Sequence, residues 1–127
     1  MTVRTAKEEI LVRGRDDWMP LSEAYWLVKK GSQQSSLGIT EEVIGVLEEL
    51  ITDDLMQFGT VTDRGFEDAK LTADVAIERL RNELAMLGRE PVLGEIGWLA
   101  NTPAGDEAAD EILSKHGKGD QWVSDLP

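Results

Sequence analysis

Apolar residues at Ile39, Val43, Ile44, Leu47, Leu50 and Ile51 recur at spacings of three and four, so they share one face of a helix predicted over residues 40–52. Thr40 is placed to cap its amino end, and Glu41 and Glu42 suit the positive end of the dipole. The opposite face carries Glu48 and Glu49, and Asp53 and Asp54 follow the carboxyl end. Carboxylates there oppose the dipole, so another element must hold that end. The stretch 55–61 reads as a strand that packs back on the helix, with Asp53-Asp54 as the turn between them.

The remaining pattern places elements on either side of this pair. Thr5 and Glu8 have the spacing of a capping box, and Ile10, Leu11 and Val12 follow in a short helix that Gly14 can stop. Residues 16–20 read as extended, because Pro20 disfavours helix at Met19. A second helix spans residues 21–30, with Leu21, Ala24, Tyr25, Leu27 and Val28 buried and Gly31 as its cap. Trp18 and Trp26 bracket its start as core or core-edge residues, with Trp26 as an alternative exposed anchor for a partner. Residues 31–38 form a polar connector whose glycine–lysine order does not match a phosphate-binding loop. After a turn at 62–66, a long helix spans 72–87, lined by Ile77, Leu80, Leu84 and Leu87 and stopped by Gly88. Residues 96–100 read as a strand that could begin at Val92, with Gly94 and Gly97 marking a bulge or a close backbone approach. Thr102 caps a last helix, with Pro103 at its first position and Lys115 and His116 in its last turn. Thr62, Gly65, Glu67 and Ala69 repeat the spacing of Thr102, Gly105, Glu107 and Ala109, which predicts the same Thr-capped exit from strand into helix in both places.

The 127 residues are expected to form a single domain over 1–117 with a C-terminal tail at 118–127, where Trp122 could dock. The charge changes the picture more than the length does. A net charge of −12 at pH 7 makes nucleic acid an unfavourable partner, since phosphate contacts need clustered Lys and Arg. The only locally basic stretch is the start, with Arg4, Lys7, Arg13 and Arg15, while Lys29 and Lys30 suit the negative end of the second helix. No run of about twenty apolar residues suggests a membrane span, and the charged start does not read as a signal segment, so a cytoplasmic protein is expected.

Candidate chemistry is sparse. Without cysteine there is no thiol nucleophile, disulfide or Cys-based zinc site. The sole histidine, His116, reads as a helix-terminal residue. Glu48, Glu49, Asp53 and Asp54 lack the alternating ligands and central glycine of a calcium loop. We therefore expect no enzyme, no cofactor and no metal.

The order of short helix, extended piece, two helices, strand, second strand and final helix resembles a winged-helix domain. Residues 50–55, Leu-Ile-Thr-Asp-Asp-Leu, are similar to the passage from third helix into wing, and residues 98–105, Trp-Leu-Ala-Asn-Thr-Pro-Ala-Gly, to the last wing strand entering a helix, with Asn101 where that family often has leucine. The chain also resembles uncharacterised small actinobacterial proteins, which implies no function. The winged-helix resemblance implies an α+β, mostly helical fold with a two-stranded antiparallel wing, here carrying the helix 72–87 as an insertion. It also implies DNA binding by the third helix, but that helix offers Glu41, Glu42, Glu48 and Glu49 and no Lys or Arg. The expected function is therefore a small regulatory or neutralising interaction module, antitoxin- or immunity-like. It would meet a basic protein partner through Glu41, Glu42, Glu48, Glu49, Asp53 and Asp54. The alternative is a winged-helix transcriptional regulator using Arg4, Arg13, Arg15, Lys29 and Lys30 as phosphate contacts. A homodimer through the Ile77-Leu80-Leu84-Leu87 stripe is a third expectation.

Overall fold

The computed structural model describes residues 5–31 and 36–116. Arg4, the loop 32–35, the His116 side chain and the tail with Trp122 lie outside the described residues. The chain runs α1 (Ala6–Asp16), β1 (Met19–Pro20), α2 (Leu21–Gly31), α3 (Ser36–Thr52), β2 (Met56–Thr62), β3 (Gly65–Asp68), α4 (Ala73–Leu87), β4 (Trp98–Asn101) and α5 (Pro103–His116). It is an α+β fold dominated by helices.

The helix ends largely follow local side-chain chemistry. Thr5 and Glu8 close the capping box, each side chain accepting from the other's backbone N–H at 3.1 and 2.9 Å. Thr72 caps α4, and Gly88 ends it with φ 64°. Two expectations shift. The third helix begins at Ser36, so Thr40 lies inside it and does not cap it; the added turn buries Ile39. Gly14 does not stop α1, which continues to Asp16. A Cβ at Gly14 would collide with the Asn101 side chain, whose Nδ2 donates to the Leu11 carbonyl at 2.9 Å. The glycine is a point of close approach between α1 and β4.

The sheet has four antiparallel strands in the order β1-β4-β2-β3, where two were expected. Leu99 of β4 stands between Met19 of β1 and Phe58 of β2, and all three are buried. The two extra strands carry little pattern. β1 has only two residues, and Pro20, lacking an N–H, suits a sheet edge. β3 is the polar outer arm of a hairpin, pairing Thr62 with Gly65 and Gly59 with Asp68. The repeated spacing at Thr62 and Thr102 therefore leads to different structures. Thr62 Oγ1 accepts from Arg64 N and donates to Glu67 in the hairpin, whereas Thr102 Oγ1 accepts from Gly105 N and starts α5.

The carboxyl end of α3 is held as its opposing charges require. Leu55 N–H bonds to the Leu50 carbonyl and Asp54 N–H to the Ile51 carbonyl, a Schellman motif with Asp54 at φ 58°. Buried Thr102 then closes the joint: its hydroxyl donates to the Asp54 carbonyl and its N–H to the Leu55 carbonyl. Next to it, a Cβ at Gly105 would run into the Leu55 carbonyl. The core unites Ile10, Leu27, Leu47, Leu80, Leu99 and Ala109 from all five helices and the sheet. Ile77, Leu80 and Leu84 are buried there. The stripe expected to dimerise is thus largely used inside the fold.

Two substitutions at this joint should act in opposite directions. Asp54→Gly removes a side chain from a left-handed position and a carboxylate from a helix end, and should stabilise by about 1 kcal/mol. Gly105→Ala forces a methyl against backbone and should destabilise by about 2–3 kcal/mol. Urea denaturation of both variants measures the two shifts.

Candidate functional site

One face of α3 lies in the core, with Val43, Ile44, Leu47 and Leu50 at most 1% exposed. The outward stripe is Glu41, Gly45, Glu48, Glu49 and Thr52, and Asp53 and Asp54 extend it past the helix end. A Cβ at Gly45 would touch nothing, so the fold sets no steric demand for glycine there. Glu42 is half-buried, while the other five predicted acids are exposed.

These six carboxylates do not form one uniform patch. Arg81 of α4 donates Nη1 to both Glu41 oxygens at 2.7 and 2.9 Å. Lys7 of α1 reaches Glu49 at 3.2 Å. Glu48, Asp53 and Asp54 have no side-chain partner among the described residues. The open negative charge therefore gathers at the carboxyl end of α3, where the helix dipole adds to it. Nothing in the sequence marks Lys7 and Arg81 as partners of this helix, because they stand 42 and 40 residues from the acids they hold.

Of the basic residues proposed for phosphate contacts, the described ones, Arg13, Arg15, Lys29 and Lys30, are engaged elsewhere. Arg13 reaches Glu9 at 2.9 Å and Glu23 at 3.0 Å. Burial works to lower its guanidinium pKa, and the bonds to these two carboxylates outweigh that and raise it. Arg15 bonds Asp110 at 3.0 Å, and this raises its pKa. Lys29 reaches Glu90 at 3.1 Å, and Lys30 lies 5.0 Å from the centre of the Trp26 ring. Trp18 and Trp26 are 43% and 45% exposed, so both lie outside the core; Trp18 leans on Phe66 of β3.

A further feature comes from the loop after α4, where the sequence suggested a strand from Val92. Arg89 grips both Glu95 oxygens at 2.8 and 2.7 Å, and Glu95 also accepts from Val92 N–H. Gly97 N–H turns back to the Glu95 carbonyl across Ile96, whose φ of 71° belongs to the rare, strained γ-turn. The extended run thus begins only at Trp98. Gly97 makes the expected close approach, since a Cβ there would meet the Phe58 ring and the Gly59 carbonyl.

Among the described residues, no three His, Cys, Asp or Glu side chains converge as metal ligands, and no helix is long and apolar enough to cross a membrane. No known protein family, curated protein or solved structure matches the chain.

Glu95 makes the loop sensitive to acid. The bonds from Arg89, then from Val92 N–H, hold its pKa at about 2. A carboxylate depressed in the folded state contributes its stabilisation above its unfolded value, about 4.3, and loses it as pH falls through the folded value. NMR titration should show Glu95 changing protonation near pH 2, with Val92 and Ile96 amides shifting alongside. Arg89→Gln should return Glu95 towards the ordinary range.

Proposed function

We propose that this chain is a small acidic, non-enzymatic interaction module that captures a basic protein partner, in the manner of an antitoxin or immunity protein. The observation that carries this reading is the outward face of α3, which bears carboxylates and no cation, with Glu48, Asp53 and Asp54 lacking side-chain partners among the described residues. A negative field at one end of the molecule speeds encounter with a basic surface and disfavours acidic competitors. Glu41 and Glu49 are already paired with Arg81 of α4 and Lys7 of α1, so the binding role narrows to the end of the helix.

The second reading, a winged-helix DNA-binding regulator, is favoured by the order of elements. β1, α2, α3, β2 and β4 follow one another as the resemblance requires, with β3 and α4 inserted before β4. It is weakened by the side chains: Arg13, Arg15 and Lys29 already hold carboxylates, and the helix that would enter the groove is acidic. A cation already paired within the protein offers a phosphate less.

The Glu48→Lys/Asp53→Lys/Asp54→Lys variant leaves the Glu41–Arg81 and Glu49–Lys7 pairs intact and should fold. Capture of a partner from the source cell, compared between this variant and the parent in physiological salt, tests the proposal. The parent should retain a basic protein that the variant releases. Retention by the folded variant would overturn the reading, and tight DNA binding with a steep salt dependence would establish the second one.

A further inference from the structure

We propose that the cleft between α2, α3 and α4 binds a small amphipathic monoanion, such as an aliphatic carboxylate. The cleft has a volume of about 580 Å³, within the usual range for small-molecule sites. Its apolar lining comes from Ile39 of α3 and from Leu84 and Ala85 of α4. Ile39 and Leu84 are buried, while Ala85 lies exposed at the margin.

Two polar features converge on this lining. Tyr25 is only 6% exposed, yet its hydroxyl has a single long contact, 3.4 Å to Thr40 Oγ1. A good O–H···O bond is about 2.7–2.8 Å, so the phenol retains hydrogen-bonding capacity towards a bound molecule. At the rim, Arg81 spends only Nη1 on Glu41. Its Nε and Nη2 have no partner among the described residues. Together they form one edge of the guanidinium fork, which matches two carboxylate oxygens.

The charge balance sets the ligand class. Lys29 and Arg89 also line the rim, but Glu90 and Glu95 hold them. Arg81 is itself paired with Glu41, but through Nη1 alone, so its open edge offers hydrogen bonds to one carboxylate; a di- or triphosphate would need further cations, and Lys29 and Arg89 are paired. The apolar walls supply the burial that a simple inorganic anion could not use.

This site is independent of the acidic end of α3, and its test leaves Glu48, Asp53 and Asp54 unchanged. Octanoate is titrated into the full chain and followed by NMR, with octanamide as the uncharged counterpart. Saturable shifts at Tyr25, Ile39, Leu84 and Arg81 are expected, with octanamide about tenfold weaker, the scale of one charge-assisted hydrogen bond. Ala85→Trp places a large ring at the exposed margin and should abolish binding without loss of fold. Arg81→Gln should bring octanoate down to the affinity of octanamide, whereas the charge-preserving Arg81→Lys should keep part of the difference. Unsaturable or scattered shifts, unchanged binding in folded Ala85→Trp, or equal affinity for octanoate and octanamide would each overturn the proposal.

Discussion

The fold turns on the hydrogen bonds made by two adjacent residues, Asn101 and Thr102, where β4 gives way to α5. Thr102 bonds back to the Asp54 and Leu55 carbonyls with its hydroxyl and its N–H, while the same hydroxyl accepts from Gly105. Asn101 bonds the Leu11 carbonyl and the Asp106 carboxylate. One short stretch thereby fixes the end of α3, the start of β2, the middle of α1 and the first turn of α5. Buried donors of this kind are costly to leave unpaired, so the joint specifies a geometry beyond what apolar packing would select, although Asn101 Oδ1 is itself buried without a partner among the described residues. Gly14 and Gly105 are part of the same constraint, because a side chain at either would keep the backbones apart.

The disposition of charge follows from that geometry. Lys7, Arg15, Lys29 and Arg81 each reach a carboxylate on a different element. Such exposed pairs add little stability, about 0–1 kcal/mol each. Their larger effect is on the field: in a chain of net charge −12 they neutralise positive surface and leave much of the excess negative charge unbalanced. At α3 this separates two kinds of carboxylate that look alike in sequence. Glu41 and Glu49 each pair with a cation of another helix, whereas Glu48, Asp53 and Asp54 have no such partner among the described residues. The proposed partner surface and the proposed small-molecule cleft sit on either side of that division, with Glu41 and Arg81 at the rim of the cleft.

Much of the architecture was legible in the residues because it depends on local physics. The apolar spacing in α2, α3 and α4, the capping box at Thr5 and the caps at Thr72, Gly88 and Thr102 are written within a few positions of the elements they shape. The need for an external hold on the end of α3 was also legible, from Asp53 and Asp54 opposing the dipole. The two outer strands were not. A two-residue strand carries no periodicity, and polar β3 becomes a strand only because β2 lies beside it.

By itself, the sequence determined the helices, the central strands, the acidic balance and the carboxylates of α3, since propensity, capping and net charge are properties of neighbouring residues or of the whole composition. Only the tertiary structure decided that Gly14 is a contact and not a stop, that Thr62 and Thr102 lead to different turns, and which charges remain open. Those outcomes depend on groups far apart in the chain, whose meeting is set by the packing of the core and by the bonds of Asn101 and Thr102.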